Sequence, residues 1–410
     1  MKFKFYTSGN STYIEAFFEK TDNNTSKRIE GLGTEITNRN PLVFFNKKYT
    51  DIHPDIIGLV CLAIFYPFIG ESVTFPLPVS NRLAKSISRD IFTKNKKLNI
   101  KHIDNYLLPY TGESGEILAF GGGMDSSAIR ALFPEAFVVH EASIRDGILI
   151  PDEANNLTRS LELLGLGSLV ETNARYISEP GGWHVWIGSI VTALLEAGSR
   201  KAKYIYSGTI LGSAFMNNGS KYFDRHMSSK WHGPSGNYWQ QLFWDIGIPL
   251  VQPLMGCSEI LTMQASLKHL PREEVSYCTA KNGLACGVCP KCFRRYCIEN
   301  YLTARDFDFN YFNNTQVNSV LNKRPLYFAH IYAAMISDGW TAPSFIKERF
   351  NFLPTDNSFP LGFNPESLYF IPEELKSKIK RILYDNFREM TKDEIYQMKK
   401  WNQYELQPSI

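Results

Sequence analysis

Hydrophobic and polar positions change period several times along the chain, and each change marks an element. Residues 2–5 and 11–18 alternate as half-buried strands do, and 21–27 is polar and loop-like. Residues 55–65 are apolar on every side, with Pro54 placed to start a buried helix. Residues 72–77 read as a short strand near Pro76 and Pro78, 81–92 as an amphipathic helix, and 104–115 as a linker. From 116 to 300 the pattern alternates. Apolar runs at 117–120, 136–140, 168–172, 204–207 and 249–252 predict strands, and 128–133, 152–164 and 186–197 predict helices. Repeated βα units imply a parallel sheet with helices on both faces. Residues 301–410 are aromatic-rich and mostly helical, with helices expected at 325–336, 372–384 and 391–401. The expected class is α/β. An α+β accessory domain spans 1–110, a Rossmann-type domain 111–300 and a helical region 301–410.

Composition narrows the setting. The 410 residues are 44% hydrophobic and 21% charged, values of a soluble globular chain. A net charge of +3 is too weak to point to nucleic acid. The first residues carry no apolar core followed by a cleavage site, and the longest apolar stretch, 56–69, is broken by Gly58 and Pro67. No membrane partner is expected. Four of the seven cysteines crowd between 278 and 292, which without an export signal favours metal over disulfides and a cytoplasmic location. A homodimer is left open.

The segment Gly121-Gly122-Gly123-Met124-Asp125-Ser126-Ser127 separates a predicted strand from a predicted helix. Three glycines allow a sharp turn and close backbone approach. The helix behind them adds N–H donors and the positive end of its dipole. Ser126 and Ser127 add hydroxyls, and Asp125 a carboxylate suited to help hold Mg²⁺. Together they make a nest for phosphate. The turn is neither a Walker A loop nor a dinucleotide fingerprint. An ordinary strand-to-helix turn without ligand remains the alternative. Ala142-Ser143 and Gly208-Thr209 follow other predicted strands and are expected along the same ligand-bearing edge.

Cys278, Cys286, Cys289 and Cys292 form C-x7-C-x2-C-x2-C. Four thiolates suit tetrahedral Zn²⁺ and leave no open position, so the expected metal is structural. Gly287 eases the turn, and its N–H is placed to bond a sulfur. Free core cysteines or a redox pair are the alternatives. Cys61, Cys257 and Cys297 read as apolar fillers.

Gly-Gly-x-Asp-Ser is similar to the signature of PP-loop ATP pyrophosphatases, usually Ser-Gly-Gly-x-Asp-Ser, with Gly121 standing where the serine would be. Joined to C-x7-C-G-x-C-x2-C-x2-Arg further along, it resembles the 7-cyano-7-deazaguanine synthase family over residues ~115–300. The matching residues are Gly122, Gly123, Asp125, Ser126, Cys278, Cys286, Gly287, Cys289, Cys292 and Arg295. Residues 248–254 also resemble the proline-containing strand before the zinc loop. The resemblance implies a PP-loop, HUP-like fold binding ATP, Mg²⁺ and Zn²⁺. It implies adenylation of a small-molecule carboxylate or amide with release of pyrophosphate, then C–N bond formation with ammonia or an amine. Asp125, Ser126 and Arg295 are the expected catalytic residues. Arg295 would pair with phosphate or a substrate carboxylate; an ordinary helix residue is its plainer reading.

Two other functions compete. A tRNA-modifying or sulfur-transferring PP-loop enzyme needs a basic face and a reactive cysteine outside the zinc site. A non-catalytic nucleotide sensor draws support from Gly121. Residues 217–244, with Asp224, Arg225, His226, Lys230, Trp231, His232, Tyr238, Trp239 and Trp244, read equally as a substrate lid or a packed loop. His184, between Trp183 and Trp186, reads more as a packed residue than as a catalyst.

Overall fold

The apolar runs assemble into one large sheet. The computed structural model describes residues 1–27, 33–36, 38–88, 98–150, 167–181, 187–223, 237–271, 275, 286–305 and 308–406. Its strands are β1 (Lys2–Ser8), β2 (Ser11–Phe17), β3 (Thr25–Lys27), β4 (Gly33–Glu35), β5 (Leu42–Phe45), β6 (Ser72–Ser80), β7 (Asn99–Asp104), β8 (Glu116–Phe120), β9 (Phe137–Arg145), β10 (Ile148–Leu149), β11 (Gly167–Thr172), β12 (Tyr204–Ser207) and β13 (Leu250–Val251). β3 and β4 pair apart from the rest, and β10 is a short hairpin partner of β9. The main order is β13-β12-β8-β9-β11-β5-β2-β1-β6-β7. Neighbours from β13 to β11 run parallel, as do β1, β6 and β7. The links β11-β5-β2-β1 are antiparallel. The protein is therefore a mixed α/β fold with a mostly parallel central sheet.

Burial explains the patterns. β8 buries 117–120 continuously, as a strand covered on both sides must. β2 alternates buried and half-buried residues, as one wet face requires. The Pro54–Phe65 helix buries every residue after Pro54 and starts with Pro54 at its first turn. Several expectations shift. The strand expected at 136–140 continues to Arg145. The helix expected from 325 begins only at Ala329, after Phe328 in the left-handed region (φ 58°). The helix expected at 152–164 lies outside the described residues.

The chain folds as two compact units that cut across the sequence segments. The first holds 1–121, 135–207 and 228–251; the second holds 122–134, 208–227 and 252–410. Residues 1–104 thus supply β1, β2, β5, β6 and β7 to the same sheet as β8 to β13. Within the first unit the Pro54–Phe65 and Ile187–Arg200 helices pack on each other and on the sheet. Glu196, 1% exposed, accepts bonds there from Lys47, Tyr49 Oη (3.0 Å), Ser168 Oγ (3.2 Å) and Arg200 Nε (3.1 Å). The second unit is helical, around a core that includes Met124, Phe215, Met263, Phe293 and Trp401. No helix among the described residues is long and apolar enough to cross a membrane.

Candidate functional site

The glycine turn starts from a fixed point. Phe120 ends β8, and its carbonyl accepts a hydrogen bond from Nδ1 of buried His140 on β9. Burial pushes that imidazole down to about 4, so it is neutral near pH 7. Gly122 takes a φ of 65°, which favours glycine. Gly123 then opens the Met124–Leu132 helix from an extended conformation, with no side chain capping the helix. Uncapped first-turn N–H groups are the donors an anion seeks. Ser126 and Ser127 do not point their hydroxyl hydrogens into the turn. Both donate to Gly123 O, at 2.9 and 3.0 Å.

Other segments of the second unit converge on this helix start. A Cβ on Gly208 would lie 3.0 Å from the Ser126 nitrogen, so glycine lets the chain leaving β12 press against the first turn. Thr209 follows, 1% exposed, and its Oγ1 has no hydrogen-bond partner among the described residues. An orphaned buried hydroxyl beside uncapped N–H groups fits a polar ligand. Ala142 and Ser143 differ from expectation. They sit within β9, not beyond it, because the strand runs on, pairing there with Glu171 and Thr172. Ser143 Oγ donates to Glu141 Oε1 (2.8 Å).

Asp125 is half-buried, and its Oδ1 accepts from Thr262 Oγ1 at 3.2 Å. Burial and the nearby Glu259 carboxylate push its carboxyl up to about 6, against the pull of Arg295 and Lys291. Glu259 and Thr262 share a face of the Glu259–His269 helix, which Ser258 caps. Burial alone would raise Glu259; the Arg294 guanidinium overcomes it and holds the carboxyl at about 2. Arg294 grips Glu259 through Nε and through Nη2 (2.9 Å), and its guanidinium lies 3.7 Å from the Phe328 ring centre. Arg295 is separate from that pair. It is 4% exposed, and its Nη2 lies 3.9 Å from where a Cβ on Gly123 would stand. Lys291, one turn earlier on the Pro290–Thr303 helix, is exposed, and the Arg295 charge holds its ammonium below the ordinary value.

The same helix begins at the cysteines. The sulfurs of Cys286, Cys289 and Cys292 lie within 4.8 Å of one another, a grouping able to hold one metal ion. Cys289 caps the helix, its sulfur accepting from Cys292 N–H at 3.3 Å. Burial would raise the Cys286 thiol, but the Val288 N–H and the neighbouring cysteines bring it down to about 7. Gly287 takes a φ of 73°, so its place in the turn is conformational. The Val288 and Cys289 N–H groups act on the Cys286 thiol, and the Gly287 carbonyl accepts from Asn314 Nδ2 (3.0 Å). Cys278 lies outside the described residues. Cys61, Cys257 and Cys297 are fully buried with thiols pushed up, as fillers should be.

Residues 238–402 match the model of a family of unknown function, DUF6395. The matched stretch holds Glu259, Thr262, the three described cysteines, Lys291, Arg294 and Arg295, but not the glycine turn. No curated protein and no solved structure matches the chain.

Sequence reasoning passed over Glu259, Thr262 and Lys291. The available signal was Ser258 as a helix start with Glu259 and Thr262 a turn apart. The 217–244 segment is only partly a loop. Asn237–Asp245 is helical, and Trp239 is buried in the first unit's core. Asp224, Arg225, His226, Lys230, Trp231, His232, Trp183, His184 and Trp186 lie outside the described residues.

Proposed function

We propose that the chain is an ATP-dependent, AMP-forming ligase of PP-loop, HUP-like type. It would adenylate a small carboxylate or amide, release pyrophosphate, and form a C–N bond with ammonia or an amine. The observation that carries this reading is the uncapped helix start at 122–126, flanked by Gly208, by Thr209, whose Oγ1 has no partner among the described residues, and by the cationic Pro290–Thr303 helix. Bound ATP would supply the adenylyl group, and Mg²⁺ would neutralise charge on the departing pyrophosphate. The chain's own part is positioning and charge. Backbone N–H groups of the turn would cradle phosphate oxygens, and Arg295 would face them across Gly123. The Ser126 and Ser127 hydroxyls are free to rotate from Gly123 O toward an oxygen that binds better. Asp125, once ionised, would hold the cation. Substrate-dependent pyrophosphate release is the test, measured with ATP, ammonium and a broad carboxylate panel. No release from metal-loaded protein, together with no ATP binding, would sink the proposal.

We assign Zn²⁺ to Cys286, Cys289 and Cys292, with Cys278 as fourth ligand, in a structural role. Cys286→Ser is expected to lose most of the bound metal and to loosen the start of the Pro290–Thr303 helix, because metal binding energy contributes to folding. Metal analysis and limited proteolysis check this; wild-type protein that is stable and metal-free would refute it.

Gly121 bears on affinity. Its surroundings within 4 Å are open to a Cβ, and its φ lies outside the left-handed region. Gly121→Ser is therefore expected to leave stability within about 0.5 kcal/mol and to tighten inorganic pyrophosphate binding several-fold. Calorimetric titration reads the affinity directly. Weaker binding would mean that a serine hydroxyl has no role at this position.

A further inference from the structure

Asp125 is constrained at both ends of its side chain. A Cβ on Gly208 would lie 3.3 Å from the Asp125 Cβ, so the backbone leaving β12 crowds its root. At its tip, Oδ1 accepts from Thr262 Oγ1 at 3.2 Å. Among the described residues no other donor reaches that carboxylate. Thr262 is itself a fixed point. It is 0% exposed, near the Ser258-capped start of the Glu259–His269 helix. Its N–H donates to Ser258 O (3.0 Å), and its carbonyl accepts from Ser266 Oγ (2.9 Å). Ser258 Oγ fastens the same helix start to Pro360 O (2.6 Å). Branching at Cβ further limits the rotation of the threonine. Its hydroxyl has one hydrogen and two acceptors in reach, Asp125 Oδ1 and the Glu259 carbonyl, each at 3.2 Å. The carbonyl is the ordinary partner of a helical threonine. A carboxylate is the stronger acceptor, so the hydroxyl goes to Asp125. One carboxylate oxygen is then committed to the protein, and Oδ2 is left for another partner.

We propose that Thr262 is a positioning residue: by taking Oδ1 it fixes the Asp125 carboxylate so that Oδ2 is presented to the cation accompanying ATP. This rests on the ATP reading above. It gives the cation site a member outside the glycine turn. Thr262 lies in the stretch that matches the family model and Asp125 does not, so the bond ties that stretch to the turn.

The test is binding of Mn²⁺ to the metal-loaded full chain saturated with ATP, read by electron paramagnetic resonance. Wild type, Thr262→Val and Thr262→Ser are compared. ATP affinity without added divalent cation and melting temperature are measured alongside. Valine keeps the shape of threonine without the hydroxyl, and serine keeps the hydroxyl. Thr262→Val should bind Mn²⁺ about tenfold more weakly, with its cation-free ATP affinity unchanged, and Thr262→Ser should recover most of the loss. A threonine that only supports the fold would move both affinities together or neither. Wild-type Mn²⁺ affinity in Thr262→Val would overturn this inference alone. So would a matching loss of cation-free ATP affinity, or a Thr262→Ser variant as weak as Thr262→Val. Wild type that binds ATP but no Mn²⁺ would overturn it as well. Thr262→Ala repeats the comparison if valine lowers the melting temperature. Wild-type protein that binds ATP neither with nor without Mn²⁺ would remove the ATP reading itself, and this inference with it.

Discussion

Glu259→Ala is expected to lower the unfolding free energy by about 3–5 kcal/mol, the usual cost of breaking a buried ion pair by removing one partner. Arg294 would keep its stack on Phe328 but lose both hydrogen bonds, leaving a guanidinium that is 6% exposed without its carboxylate. The loss should fall mainly on the second unit, since the Glu259–His269, Pro290–Thr303 and Ala329–Ser337 helices and Phe328 all belong to it. The sign of the pH dependence follows from the depressed carboxyl. Glu259 contributes its stability above the ordinary value of 4.5, and that contribution drains away as pH falls toward about 2. Urea unfolding of wild type and Glu259→Ala at neutral and acid pH reads both effects. A loss under about 1 kcal/mol at pH 7 would show that the pair is solvated rather than buried.

Asp125→Asn should separate function from stability. Pyrophosphate release is expected to fall by at least about 100-fold, since the amide cannot replace a carboxylate in holding a cation. The fold itself should gain. Asp125 is pushed up to about 6 in the folded chain from an ordinary 3.8, so the folded state holds the proton longer than the unfolded one. The Asp125 contribution to stability therefore declines as pH rises from about 4 to about 6 and is flat beyond. Asn removes that penalty. With the site half-buried and screened, the gain at pH 7 is about 1 kcal/mol, below the ~3 kcal/mol of a fully enclosed group. Melting curves without nucleotide or divalent cation, compared at pH 4 and pH 7, decide the matter. An Asn variant that is less stable at pH 7 would show that the carboxylate is structural.

The strands were legible where burial imposes a simple period. The unbroken apolar run of β8 and the alternation of β2 announced themselves, and so did Pro54 at the head of the apolar helix. The joining of 1–104 to the central sheet was not legible, because β5 is four residues long and its pairing with β2 and β11 is a tertiary fact. At the site, Asp125 and the cysteines stood out by spacing. Glu259 and Thr262 did not, because helix packing alone brings them to Asp125; Thr262 reaches it from 137 positions away along the chain. Arg294 and Arg295 are adjacent in sequence, yet only the packing shows that one is locked to Glu259 while the other faces Gly123. Ala142 and Ser143 misled because strand ends cannot be read to the residue from hydropathy.

The bond from His140 to the Phe120 carbonyl has a consequence for tolerances. It pins the last rigid station before the turn from the side, through a ring that keeps one protonation state across the neutral range. Phe120 and His140 are also register partners at the last rung between β8 and β9, so the bond is a side-chain latch where the backbone ladder ends. Fraying of β8 at its carboxyl end would have to break that latch first, at any pH in the neutral range.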